Sequence, residues 1–133
     1  MQRSVDKRSL TGVWHGLYTY ADGYSTPFMA TLLESGASLS GSTREECDVA
    51  VGVRATLHAT LDGERQESAV TFTKTYDPAC GWSHGVAYEG ALNAEQNEIE
   101  GRWRLASGWS GGFLMIRAPG KDEKVAREEL QRA

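Results

Sequence analysis

Apolar and polar positions alternate with period two along most of this chain. A half-buried β-strand produces that spacing, because successive side chains leave a strand on opposite faces. Leu10, Gly12, Trp14, Gly16, Tyr18 and Tyr20 share one face of the first run, which Ala21-Asp22-Gly23 breaks with turn chemistry. A second run carries Phe28, Ala30 and Leu32 and stops at Glu34-Ser35-Gly36. The third holds Leu39, Gly41, Thr43 and Glu45 and leads into an irregular stretch over residues 47–52. In the fourth, Ala55, Leu57, Ala59 and Leu61 oppose Arg54, Thr56, His58 and Thr60, and Asp62-Gly63 reads as the closing turn. Val70, Phe72, Lys74 and Tyr76 face away from Thr71, Thr73 and Thr75 in the fifth, which Asp77-Pro78 ends. Val86, Tyr88, Gly90 and Leu92 make the inner face of the sixth. Ile99, Gly101, Trp103 and Leu105 do the same in the seventh, with Glu98, Glu100, Arg102 and Arg104 outside. The eighth, about residues 112–118, is apolar on both faces, so its register stays open.

Eight short strands in sequence, joined by tight connections, predict an antiparallel meander. Left open, such a sheet exposes two edges, and closure removes them. The expected fold is therefore all-β, a single eight-stranded antiparallel up-and-down β-barrel over residues 10–118. Residues 1–9 read as a flexible N-terminus and 119–133 as a polar tail. Glu123 with Arg127 and Lys124 with Glu128 give that tail helical i,i+4 pairs. Glycine supports the barrel: there are 15, and Gly12, Gly16, Gly41, Gly90 and Gly101 fall on the aromatic-bearing faces, where a strand must bend beside large rings. Alternation alone does not decide whether those rings fill the lumen or line a cavity.

Composition narrows the function. A chain of 133 residues supports one domain. Its 14 basic and 18 acidic residues give a formal charge of −4, which supplies no basic footprint for nucleic acid or anionic lipid. No run reaches the ~18 apolar residues of a membrane helix, and no signal-peptide pattern appears, so a cytoplasmic protein is expected. Cys47 and Cys80 lack metal-site spacing, and His15, His58 and His84 are scattered over the topology; neither a metal nor a cofactor is expected. In a reducing compartment the two cysteines read as free thiols, although both fall at one barrel end, where a disulfide stays open.

A family resemblance rests on four segments. Leu10-Thr11-Gly12-Val13-Trp14 resembles the opening strand of the avidin and streptavidin family, and Leu39-Ser40-Gly41-Ser42-Thr43 its second Leu-Thr-Gly-Thr strand. Tyr88-Glu89-Gly90 and Trp103-Arg104-Leu105-Ala106-Ser107-Gly108 are similar to its Trp-Ser-Gly and Trp-Leu-Leu-Thr-Ser-Gly segments. Gly12-Val13-Trp14 also resembles the Gly-x-Trp start of lipocalins. The resemblance implies a calycin-type barrel that binds a small molecule, with Trp14 and Trp103 as cavity walls. It does not extend to the biotin contacts: Gly16 stands where that family has Asn, and the neighbourhood of Arg117 replaces the Asp of its last strand.

In a meander the odd strands end together, which places Tyr20, Glu45, Tyr76 and Ser107 near one rim. The connections there carry Tyr24, Cys47, Asp77, Cys80, Trp82, His84 and Trp109. That rim is the expected mouth. Lys74 and Glu45 stand out on otherwise apolar faces, where a lone charge is costly unless it reaches water or is paired. The expected ligand-binding set is Trp14, Tyr18, Tyr20, Glu45, Lys74, Tyr76, Trp82, Tyr88, Trp103 and Trp109. In it Lys74, Tyr76 and Tyr20 orient a polar, preferably anionic, head while Trp14, Tyr18, Tyr88 and Trp103 enclose an apolar body. Gly81-Trp82-Ser83-His84-Gly85 and Gly108-Trp109-Ser110-Gly111-Gly112 match a nucleophile-elbow pattern, but no helical pattern follows either one.

The reading is non-catalytic binding of a small hydrophobic or amphiphilic molecule inside the barrel, with a homo-oligomer left open. Two alternatives stand beside it. One is a protein-interaction module with a filled barrel and an aromatic rim. The other is a small barrel isomerase or cyclase using Glu45, Lys74 and Tyr76, which requires those groups within about 3 Å of a common point.

Overall fold

A computed structural model describes residues 8–50, 52–77 and 85–117. Its strands are β1 (Gly12–Thr19), β2 (Ser25–Ser35), β3 (Ser38–Ala50), β4 (Val53–Gln66), β5 (Ala69–Tyr76), β6 (Gly85–Leu92), β7 (Glu98–Arg104) and β8 (Ser110–Ile116). Each pairs antiparallel with its neighbour in sequence, and β8 returns to pair with β1, closing the barrel. Every backbone edge is thereby satisfied, and no helix occurs among the described residues. The period-two pattern sets the inside: Trp14, Tyr18, Phe28, Leu32, Leu61, Val70, Phe72, Tyr88, Ile99 and Trp103 are all buried in one core. Phe113 and Met115 also point inward, which fixes the register of the strand that is apolar on both faces.

Two boundaries differ from the sequence expectation. The hairpin of β3 and β4 is longer than the turn signals suggest: β3 continues to Ala50 through a bulge between Asp48 and Ala50, and Gly52 (φ 74°) makes the turn. Asp62-Gly63 is no turn at all. The chain stays extended to Gln66 and reverses at Glu67, whose φ is 57°. Gly63 faces inward where β4 and β5 approach closely, and a Cβ there would come within 1.9 Å of the Thr71 carbonyl oxygen. The glycine answers a crowded inner wall, and the longer strand brings Arg65 into the interior.

The lower end, where β1 begins and β8 finishes, is sealed by polar side chains. Arg65 donates to the carbonyl oxygens of Glu67 (2.7 Å) and Arg8 (2.8 Å), to Glu34 Oε1 (3.2 Å) and to Gln96 Oε1 (3.3 Å). Glu34 Oε1 also accepts from the Leu10 amide, and Gln96 Oε1 from the Arg8 amide. Arg117 lies over the Trp14 ring, 4.5 Å from its centroid, and donates to the Gln96 carbonyl. Trp14 Nε1 in turn donates to the Leu10 carbonyl. One arginine stacks and another forks across several acceptors, the two tasks a planar guanidinium performs better than an ammonium.

Candidate functional site

The opposite end holds the candidate site, built from the upper halves of β1, β3, β5, β6 and β7. At its base Glu45 gathers three donors. Tyr18 Oη donates to Glu45 Oε2 at 2.5 Å, while Lys74 Nζ and Tyr76 Oη each donate to Oε1 at 2.9 Å. Side-chain exposure is 1% for Lys74 and 2% for Glu45, so this is a buried ion pair. Around the ammonium stand the rings of Tyr18 and Tyr76 at 4.8 Å, Phe28 at 5.1 Å and Tyr88 at 5.8 Å. A buried charge persists when it is paired and its remaining protons find electron-rich partners, and both conditions are met here.

Burial pushes the Lys74 ammonium below its ordinary value, and the Glu45 carboxylate pulls it part of the way back. The tyrosines move the other way. Burial raises the Tyr18 hydroxyl well above the ordinary phenol range, and its hydrogen bond to Glu45 adds to the rise. Tyr76 and Tyr88 are raised by burial first and by the Glu45 charge second. All three stay protonated at any physiological pH, so they are fixed hydroxyl donors rather than bases.

Above this cluster the rings pack edge to face. Tyr20 meets Tyr18 at 5.6 Å and Trp103 at 5.5 Å between centroids, and Trp103 Nε1 donates to the Thr19 carbonyl. Deeper in the lumen, Phe72 stacks on Tyr88 at 4.9 Å, and Phe113 meets Tyr88 edge-on at 4.9 Å. Most of the lumen is therefore filled. Among the described residues a pocket of about 60 Å3 opens at the mouth, lined by Tyr18, Tyr20, Tyr76, Val86, Tyr88, Trp103, Leu105 and Trp109. A pocket enclosing a drug-sized ligand is several times larger, about 300–1,000 Å3.

Of the residues expected from sequence, Tyr18, Tyr20, Tyr76, Tyr88, Trp103 and Trp109 come together at this pocket. Trp109 is 68% exposed and forms its outer lip. Glu45 and Lys74 are absent from the lining: they meet each other beneath its floor, screened by Tyr18 and Tyr76. Glu45 Oε1 is the common point within 3 Å that acid–base chemistry requires, but its neighbours there are already bonded to it. Trp14 stands at the sealed end, under Leu10 and Arg117. Trp82, Ser83, His84, Cys80 and the tail over 119–133 lie outside the described residues. Ser110 opens β8 and is followed by strand, whereas a nucleophile elbow leads into a helix. The candidate set omits Val86 and Leu105, although period two places both on the inner face. Among the described residues no cluster of His, Cys, Asp and Glu could hold a metal ion, and no helix is long and apolar enough to cross a membrane.

Two wall residues have spare chemistry: the hydroxyls of Tyr20, half-buried at the rim, and of Tyr88. Tyr88 is only 3% exposed and lines the pocket, yet its hydroxyl has no hydrogen-bond partner among the described residues.

No protein-family model and no curated protein matches this chain. Similar solved structures include designed barrels. A redesigned β-barrel superposes with a TM-score of 0.64 at 15% identity, covering 82% of this chain and 91% of its own. A redesigned barrel, mFAP1, bound to DFHBI, gives 0.62 at 15% identity, with 81% and 94% covered. A de novo designed fluorescence-activating barrel gives 0.59 at 12%, with 83% and 94% covered. At these identities the likeness is one of fold: the chain is an eight-stranded antiparallel β-barrel resembling designed β-barrels.

Proposed function

We propose that this barrel binds a small hydrophobic or amphiphilic molecule at its mouth, without catalysis. The observation that carries the reading is the aromatic pocket at one end of a lumen whose other end is closed. Trp103, Tyr20 and Tyr88 supply flat apolar walls, and Trp109 extends them outward over the lip. Burying apolar surface against such walls is worth about 25 cal/mol per Å2. The same fold holds a small molecule in mFAP1, which supports the reading by analogy of architecture. With about 60 Å3 available, one edge of the molecule enters while the rest lies on the lip. Titration with a fluorescent apolar probe, read by tryptophan quenching, is expected to saturate, and Trp109→Ala to weaken it severalfold. Absence of saturable binding at tens of micromolar would remove the reading.

A second reading draws on the packed lumen and the exposure of Trp109: the rim docks on a protein partner. Retained partner binding by a variant with the pocket blocked, such as Val86→Phe, would favour it over small-molecule capture.

A further inference from the structure

The chemistry of the pocket wall specifies what enters it. Four tyrosines line or border the space, but two hydroxyls, those of Tyr18 and Tyr76, are spent on Glu45. The indole N–H of Trp103 is spent on the Thr19 carbonyl. Lys74 and Glu45, bonded to the floor through Tyr18 and Tyr76, pair with each other at 2.9 Å and together carry no net charge. What remain are the hydroxyls of Tyr20, on a half-buried ring at the rim, and of Tyr88, on a buried ring held by Phe72 stacked at 4.9 Å and Phe113 edge-on at 4.9 Å, and only the second lies within the pocket wall away from bulk water. A hydroxyl with little access to water and no protein partner gains when a ligand oxygen takes up its bond.

Resting on the binding function proposed above, we propose that the mouth selects an uncharged, single-ring aromatic group carrying an oxygen that accepts a hydrogen bond from Tyr88. Three observations converge on this class. The volume of about 60 Å3 admits no more than one ring edge. The walls are aromatic faces and edges, which favour a flat guest through offset and edge-on contacts. None of the described residues lining the space is charged, so an ionised head meets no counter-charge among them and is desolvated without compensation. An anionic head, the preference that Lys74 alone suggests, finds that lysine already neutralised by Glu45. The hydroxyl of Tyr88 remains a donor throughout, since burial keeps it from ionising.

The test uses phenol, toluene and benzoate as probes of the full chain, followed by chemical-shift changes at the Trp103 indole and the rings around Tyr88. Phenol is expected to bind more tightly than toluene, and benzoate to give no saturable shift. Tyr88→Phe removes a hydroxyl that bonds nothing in the fold, so it should melt like the parent. It is expected to lower phenol affinity about five- to tenfold, the value of one net hydrogen bond, and to leave toluene unchanged. Benzoate binding as well as phenol, or equal phenol affinity in Tyr88→Phe, overturns the assignment while binding at the mouth stands. Shifts from none of the three overturn the assignment and the pocket together.

Discussion

Replacing Lys74 by methionine removes the only cation among the described residues within bonding distance of Glu45, a carboxylate that is 2% exposed. The linear side chain of methionine fills the space, so the cost is electrostatic. Glu45 would keep the two hydroxyl donors of Tyr18 and Tyr76 but lose its counter-charge. Stranding one member of a buried pair typically costs about 3–5 kcal/mol, a large part of the roughly 5–15 kcal/mol that holds a domain folded. Loss of the contacts between the ammonium and its four surrounding rings adds to this. The pair removed together tells a different story. In Lys74→Met with Glu45→Gln, the amide oxygen accepts from one tyrosine and the amide N–H donates to the hydroxyl oxygen of the other, and no charge remains to be desolvated. The double variant is therefore expected to be about 2 kcal/mol or more better than the sum of its parts. Urea unfolding of the parent, both singles and the double, followed by far-UV circular dichroism, measures the cycle. A cost below about 1 kcal/mol for Lys74→Met, or a cycle that is simply additive, would refute the claim that the ion pair is isolated from solvent.

Alkaline conditions should unfold the barrel. Tyr18, Tyr76 and Tyr88 have folded pKa values raised above the unfolded value of about 10, so above that pH the unfolded chain releases protons that the folded one retains. Stability then falls by up to about 1.4 kcal/mol per pH unit for each, about 4 for the three, and phenolate absorbance should rise in step with unfolding. Lys74 acts oppositely: its lowered folded value makes its contribution grow as pH climbs toward about 10.4, so it cannot cause the alkaline loss. Stability that stays flat to about one unit above the phenol pKa would contradict the burial of these hydroxyls. At the β6–β7 seam, Gly101→Ala would place a methyl 1.9 Å from the Glu89 carbonyl oxygen, whereas the nearest atom at Gly112 is 3.7 Å away. Thermal melts should show Gly101→Ala lowered by several degrees, about 1–3 kcal/mol, and Gly112→Ala by less than half as much.

The inner face was readable because a strand allows only two directions for a side chain. Once Trp14, Phe72, Tyr88 and Trp103 are assigned inward, parity places their neighbours along each strand. Parity also carries information that turn signals obscure. Asp62-Gly63 has the composition of a hairpin turn, but continuing the alternation through Leu61 and Gly63 reaches Arg65, and through Phe113 and Met115 it reaches Arg117. Both arginines seal the floor, and neither figures among the candidates, since a charge at the end of an inward run resembles the point where a strand meets water. The mouth was legible only as an inventory of rings. Whether Lys74 faces a ligand or Glu45 depends on a few ångströms of side-chain placement, and whether Tyr88 keeps a free hydroxyl depends on what every neighbour has already bonded. Neither is encoded in residue spacing.

The two ends of this barrel divide stability from selectivity. At the floor, Arg65 ties β4 to the Glu34 side chain of β2 and to Gln96 in the connection between β6 and β7, while Arg117 follows β8 and covers Trp14 of β1. Those contacts span the β1–β8 seam, whose pairing turns a sheet into a barrel. The Glu45 cluster performs the same service midway up, joining β1, β3 and β5 across the lumen. Above that level one side-chain hydrogen bond, from the Trp103 indole to the Thr19 carbonyl, reaches from β7 to β1 among the described residues. Tyr20, Val86, Leu105 and Trp109 meet the space through packing alone. A closed sheet with its strands already tied at two levels does not need its mouth for cohesion. The mouth can thus hold a hydroxyl that bonds nothing and a tryptophan that faces solvent, two features a core would not tolerate and a binding surface uses.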